Sequence, residues 1–226
     1  MVRHMAIRAA ALSVLAATCI AGASAQDAPL QNDILSARFN SFWGPSGLIT
    51  VPDAYAGAAN RAVAGSFSGD QKSFTLNYGV VNGVDLGVAY IDRNTQRNRL
   101  IANAKINLVP SNFRGFQIGA GVIDMADSVN NTTYVMASFQ TGVPEALASR
   151  YVGLRLHAGY GTGIYREKII GGGELLINNR SSIIGEWNGT KANAGFRYIA
   201  TDNIRLQAGL ENKEVFLGLS IAFNAR

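Results

Sequence analysis

Cysteine is almost missing: Cys19 is the only one in 226 residues, and it lies in a segment that reads as an export signal. What remains has no disulfide framework and no cysteine-based metal site. Charge is scarce too, at 15% of residues against about 25% in an ordinary soluble domain. After residue 25 no apolar run is long enough for a membrane helix. Without Arg3 and Arg8, 18 Lys and Arg face 15 Asp and Glu, a net of +3, which is no nucleic-acid footprint. An exported chain with so few of the usual supports needs another, and a closed network of backbone hydrogen bonds would serve.

What is present begins with the export signal. Arg3 and Arg8 give a positive start, residues 9–20 are mostly apolar, and Ala23-Ser24-Ala25 is a small-x-small cleavage site. Residues 1–25 therefore read as a signal peptide, too short and wrongly flanked for an anchor. Ala16-Ala17-Thr18 before Cys19 resemble a lipobox poorly. Low charge, 25 glycines, export and no spanning helix fit a membrane β-barrel, and less well a secreted β-sandwich.

From about residue 61 the chain alternates with period two between turn signals. The apolar rows begin with Val63 and Phe67, then Phe74, Leu76, Tyr78 and Val80, and continue at similar spacing to Val215, Leu217, Leu219, Ile221 and Phe223. Asn82-Gly83 and Asn188-Gly189 mark hairpin turns. About twelve strands result, near the ten-residue length that crosses a bilayer when tilted. The expected fold is all-β: an antiparallel up-and-down transmembrane β-barrel over residues 61–226, preceded by a short irregular lead-in over 26–60. Residues 30–39 suit a short helix there. The segment reads as a periplasmic lead-in, as a plug in the barrel mouth, or as a loose linker; Phe39, Phe42, Trp43 and Tyr55 favour packing.

The second row along the strands says which face is wet. It carries Asp85, Lys105, Arg155, His157, Glu174, Glu186, Arg197, Arg205 and Glu211, interspersed with glycines. Glycine weakens a solvent-exposed sheet face, whereas inside a barrel small residues leave room for long charged ones. These nine polar residues are expected in the lumen, paired and hydrated. The row from Val215 to Phe223 is expected against lipid, with Gly218, Ser220 and Ala222 facing water. Aromatics at the ends of apolar rows, among them Tyr90, Tyr160, Trp187, Tyr198 and Phe223, suit interfacial girdles. Core aromatics of a sandwich are the blander alternative.

Residues 216–223, FLGLSIAF, resemble the C-terminal assembly signal of bacterial outer-membrane proteins, with Gly218, Ile221 and Phe223 matching and Phe216 departing where a polar residue is usual. The resemblance implies barrel-assembly machinery as a partner and outer-membrane lipid as the surroundings. SGLITVPDAYA, residues 46–56, is similar to the G-L-I-x-x-P-x-A motif of YjbH-like outer-membrane proteins, through Gly47, Leu48, Ile49, Pro52 and Ala54. It implies a link to exopolysaccharide production or export, with polysaccharide or export-complex proteins as partners.

No catalytic, cofactor or metal constellation is legible. His157 is the one histidine after residue 25, and its inward row suits a hydrogen-bonding role better than a hydrolase base. Gly171-Gly172-Gly173 lies in a strand and precedes no helix, so it is no phosphate loop. The expected function is a narrow outer-membrane channel or accessory in export of polysaccharide or small solutes. The alternatives are a non-conducting structural or partner-binding barrel and, last, a membrane-embedded enzyme.

Overall fold

The structure is a computed structural model describing residues 38–69, 71–93, 98–109, 115–140, 153–178 and 180–224. The expected signal peptide, Cys19 and residues 30–37 of the expected helix lie outside them. Arg38 and Phe39, the last two positions of that helix, are not helical.

Twelve strands follow in chain order: β1 Arg61–Ser68, β2 Gln71–Val81, β3 Val84–Arg93, β4 Arg99–Asn107, β5 Phe116–Ile123, β6 Thr132–Gln140, β7 Gly153–Gly161, β8 Lys168–Leu176, β9 Ser181–Trp187, β10 Ala192–Ile199, β11 Ile204–Glu211 and β12 Glu214–Asn224. Each pairs antiparallel with its neighbours in sequence, and β1 closes on β12, from Arg61 opposite Asn224 to Ser68 opposite Leu217. The expected up-and-down barrel is the observed one. Closure gives every strand a paired neighbour on both sides, as a hydrocarbon environment requires. The end carrying Arg61 and Asn224 is here the terminal mouth, the opposite end the far mouth.

Tight turns follow local chemistry. Gly83 and Gly189 occupy φ of +83° and +88° in the two Asn-Gly turns, a region glycine enters without a Cβ penalty. The β11–β12 turn does the same without glycine: Asn212 and Lys213 sit at φ of 54° and 72°, the double positive φ of a type I′ hairpin.

The exterior is apolar. Phe74, Leu100, Ile169, Val215 and Leu217 stand in outward rows, more than half exposed. Outward aromatics gather at two heights. Tyr90, Tyr160 and Trp187 lie toward the far mouth; Phe116, Phe139, Tyr198 and Phe223 lie toward the terminal mouth. An apolar belt between aromatic girdles is the surface that suits a membrane-spanning β-barrel.

Two expectations need correction, and the departure at Phe216 finds its reason. Val63 and Phe67 do not face lipid: Gly65, between them on the same face, stands opposite inward Thr75, and Phe67 packs on Phe42 and Phe216 within the barrel. The lipid face of β1 is instead Ala62, Ala64 and Ser66. Phe216 turns inward into that same apolar cluster, which explains its departure from the polar residue of assembly signals. Finally, the lumen is not water-filled. Ser220 and Ala222 point inward but are buried, because residues 38–57 occupy the space.

The two faces of β12 and β9 generate a test. Leu219 faces outward mid-strand, 40% exposed. Leu219→Arg should lower the yield of folding into liposomes, at a cost of about 2–4 kcal/mol for a cation at the midplane. Gly185, also outward, would place a Cβ with nothing within 4 Å, so Gly185→Ala should fold at least as well as the parent. The gel shift between folded and boiled protein reads both.

Candidate functional site

The interior is built by the lead-in as much as by the wall. Ser46 to Pro52 folds into a tight hairpin: Asn40 bridges to Ser46, Gly47 bridges to Pro52, and the Leu48 amide donates to the Val51 carbonyl at 2.8 Å. Gly47 is required there, since a Cβ would collide with the Val51 carbonyl and be 2.6 Å from Pro52. The residues of the G-L-I-x-x-P-x-A motif, Gly47, Leu48, Ile49, Pro52 and Ala54, are all buried within the barrel.

Glu186 of β9 receives the tip of this hairpin. The backbone amides of Ile49, Thr50 and Val51 donate to its carboxylate at 2.8–3.2 Å, the Thr50 hydroxyl donates at 2.6 Å, and the Asn193 amide adds another bond at 2.8 Å. Successive amides around one anion form a nest. Tyr165, in the one-turn 3-10 helix between β7 and β8, donates its hydroxyl to the Thr50 carbonyl at 2.8 Å.

Lys105 of β4 holds the other leg. Its ammonium lies 2.7 Å from Asp53, 2.9 Å from the Ser46 carbonyl and 2.5 Å from the Ser46 hydroxyl, with the side chain 1% exposed. Burial pushes the Asp53 carboxyl up; Lys105, aided by Arg38 and His157, outweighs it and holds the group below the usual carboxylate range. Burial also pushes the neighbouring Tyr55 phenol up. Asp85 of β3 accepts from the Gly57 amide at 2.7 Å.

A third node lies across the barrel. Glu174 of β8 takes Arg155 at 3.2 Å, Arg197 at 3.5 Å and the Ser182 hydroxyl at 2.5 Å. Arg197 also donates to the Gly47 and Leu48 carbonyls and stacks over Phe39, 4.3 Å from its centroid. His157 meets Ser138 across the β6–β7 pair, Nδ1 to Oγ at 2.7 Å, and that hydroxyl accepts from the Ala54 amide. Serine and histidine are therefore adjacent, but buried beneath the lead-in. Glu211 and Arg205 also face inward, Glu211 near the far mouth and Arg205 near the terminal mouth. All nine residues expected in the lumen share the inward row; all but Glu211 are buried, and for the buried ones other than Arg205 pairing with protein replaces the expected hydration.

Around the Glu186 nest, most of the filling toward the far mouth is apolar. Phe42, Leu48, Ile49 and Val51 of the lead-in pack against Phe67, Ile91, Ile101, Ile123, Met136, Ile170, Ile184 and Phe216 of the wall. Reading by alternate rows missed these inward residues. Their signal is a doublet: Tyr90-Ile91, Leu100-Ile101, Val122-Ile123, Ile169-Ile170 and Val215-Phe216 each break alternation near the far end of a strand. Trp43 stacks edge-on with Phe42, 5.1 Å between centroids, and its carbonyl accepts from Asn103.

No protein-family model matches the chain, and no curated protein does. Among solved structures it is similar to a KdgM porin (14% identity, covering 74% of this chain and 99% of that one, TM-score 0.47). A KdgM porin in complex with disordered oligogalacturonate gives 12% identity over the same shares with a TM-score of 0.46. A Rhodopseudomonas blastica porin variant gives 12% identity, 68% and 56% coverage and a TM-score of 0.33.

Glu186→Ala would leave the Ile49, Thr50 and Val51 amides and the Thr50 hydroxyl without their acceptor, at about 1–3 kcal/mol for each buried group left unsatisfied. We expect the barrel to form but the lead-in to loosen, read as new protease cleavage within residues 38–57. Acid tests the Lys105 side. The depressed Asp53 contributes fully above its unfolded pKa of about 3.9, and its share is lost only as pH falls through the lower folded value. Protection of the lead-in should therefore not change between about pH 8 and 5 on account of Asp53. Asp53→Asn should remove the acid-dependent part of any loss at lower pH.

Proposed function

We propose that this outer-membrane barrel is a narrow passage, or an accessory in export of polysaccharide or small solutes, held closed by its own lead-in. The observation that carries the reading is the occupied lumen: residues 38–57 bond to Glu186, Lys105, Asp85 and Arg197 and complete the apolar cluster around Phe42 and Phe216. A twelve-strand wall lined by small and charged residues is wide enough to hold water once that segment leaves. The likeness of residues 46–56 to YjbH-like proteins supports exopolysaccharide as the export class, and the motif's part would then be to seat the closure. The C-terminal resemblance supports assembly by barrel-assembly machinery. We infer a non-enzymatic role, because Ser138 and His157 lie beneath the lead-in, out of reach of a substrate.

A non-conducting structural barrel is the second reading, and the apolar cluster in the far half favours it, since withdrawing the lead-in exposes that surface to water. Planar-bilayer recording separates the two. Full-length protein should be nearly silent, and deletion of residues 38–56 should give steady conductance from a barrel that still shifts on gels. A folded, heat-modifiable deletion variant without conductance would support the structural barrel.

A further inference from the structure

The buried polar atoms without a hydrogen-bond partner include the hydroxyls of Ser41, Tyr55, Ser73 and Tyr134 and, toward the terminal mouth, a group of side-chain nitrogens. Arg205 of β11 is 7% exposed, yet its Nε and Nη1 have no hydrogen-bond partner. Two residues along the same inward row, the Nε2 of Gln207 is also buried and unpartnered, while its Oε1 accepts from Arg197 at 3.2 Å. Arg38, where the lead-in meets the terminal mouth, has a buried Nη1 without a partner and rests its guanidinium over Tyr55, 5.1 Å from the centroid. The charges near enough to act on Arg205 are Arg38 and Arg61, both cations. Asp53 and Asp85 feel the Arg38 charge as well, but no carboxylate among the described residues reaches Arg205.

The unpartnered atoms of Arg205, Gln207 and Arg38 are all nitrogen donors. A buried guanidinium facing only donors and cations is unfavourable unless an anion completes it. The planar fork of arginine suits two oxygens of one oxyanion. Ser220 stands across from Arg205, and across from Gln207 the place a Cβ would take on Gly218 is filled by the Gln207 side chain itself. We propose that the terminal mouth of the lumen holds an oxyanion site, with Arg205 as its principal ligand, Arg38 as its second cation and Gln207 as a neutral donor. Its ligand class is a single carboxylate or phosphate group, free or carried on a saccharide. The site stands whether or not the barrel conducts.

Titration calorimetry on the full-length barrel in detergent tests it, with inorganic phosphate and sodium glucuronate as probes at matched ionic strength. We expect saturable binding of at least one, and the stronger probe names the group the site prefers. Arg205→Met should weaken that binding at least tenfold. Arg205→Lys, which keeps the charge without the fork, should weaken it less, and Arg166→Gln at the far mouth should leave it unchanged. Thermal melting adds a readout independent of affinity. Without the probe, Arg205→Met should melt at or above the parent, because a buried unpaired cation is gone; with the probe, only the parent should gain. Gel shift confirms that each variant is folded. Absence of saturable binding to the parent, or equal binding by parent and Arg205→Met, would overturn the site.

Discussion

Twelve strands enclose more space than their own inward side chains can fill. That constraint organises the molecule. The inward rows make the space larger still, since Gly79, Gly119 and Gly172 take positions where wall side chains would stand. A Cβ at each would run into the lead-in: the Ala58 backbone, the Ala54 backbone at 2.5 Å and the Leu48 side chain at 2.6 Å respectively. Wall and lead-in are thus fitted to each other, and the glycines that seem to open the lumen are the places where it is filled.

The filling divides along the barrel axis. Toward the far mouth it is mostly apolar, like the core of a soluble protein, with aromatic and branched side chains from both partners packed around the Glu186 nest. Toward the terminal mouth and around the hairpin it is ionic, and three of the buried charges are each held by more than one bond. Glu186 takes backbone amides, Lys105 takes two oxygens of Ser46 besides Asp53, and Glu174 takes two arginines and a hydroxyl. Multiplicity is what makes burial tolerable, since a simple pair barely offsets the desolvation of its own charges. Arg205 falls outside this pattern, and so stands out chemically.

Much of the wall was legible because period two is a local signal, written in each strand alone. The interior was not, for a different reason in each case. His157 beside Ser138 and Glu174 beside Arg155 and Arg197 depend on register between strands, which alternation does not give. Val63 and Phe67 misled because β1 reverses the rule: its inward face is the larger, since it must meet Phe42 and Phe216. The doublets at strand ends were readable but looked like lapses in alternation. They become informative only when strand direction is added, for then they fall at one mouth. The grip of residues 49–51 on Glu186 spans well over a hundred residues of chain and leaves no local trace. The motif around Gly47 and Pro52 marked a turn without saying what the turn would hold.

The lead-in runs directly into β1, and β1 is the strand that closes on β12. The segment that fills the barrel is therefore carried by one side of its seam. Phe42 packs on Phe67 of that first strand, and Phe39 lies under Arg197 of β10 beside Leu176 and Ile199; in a ring already shut, both would have to enter through a mouth. Connectivity thus ties the contents to the seam: the strand that completes the ring with β12 is the one whose chain carries the filling.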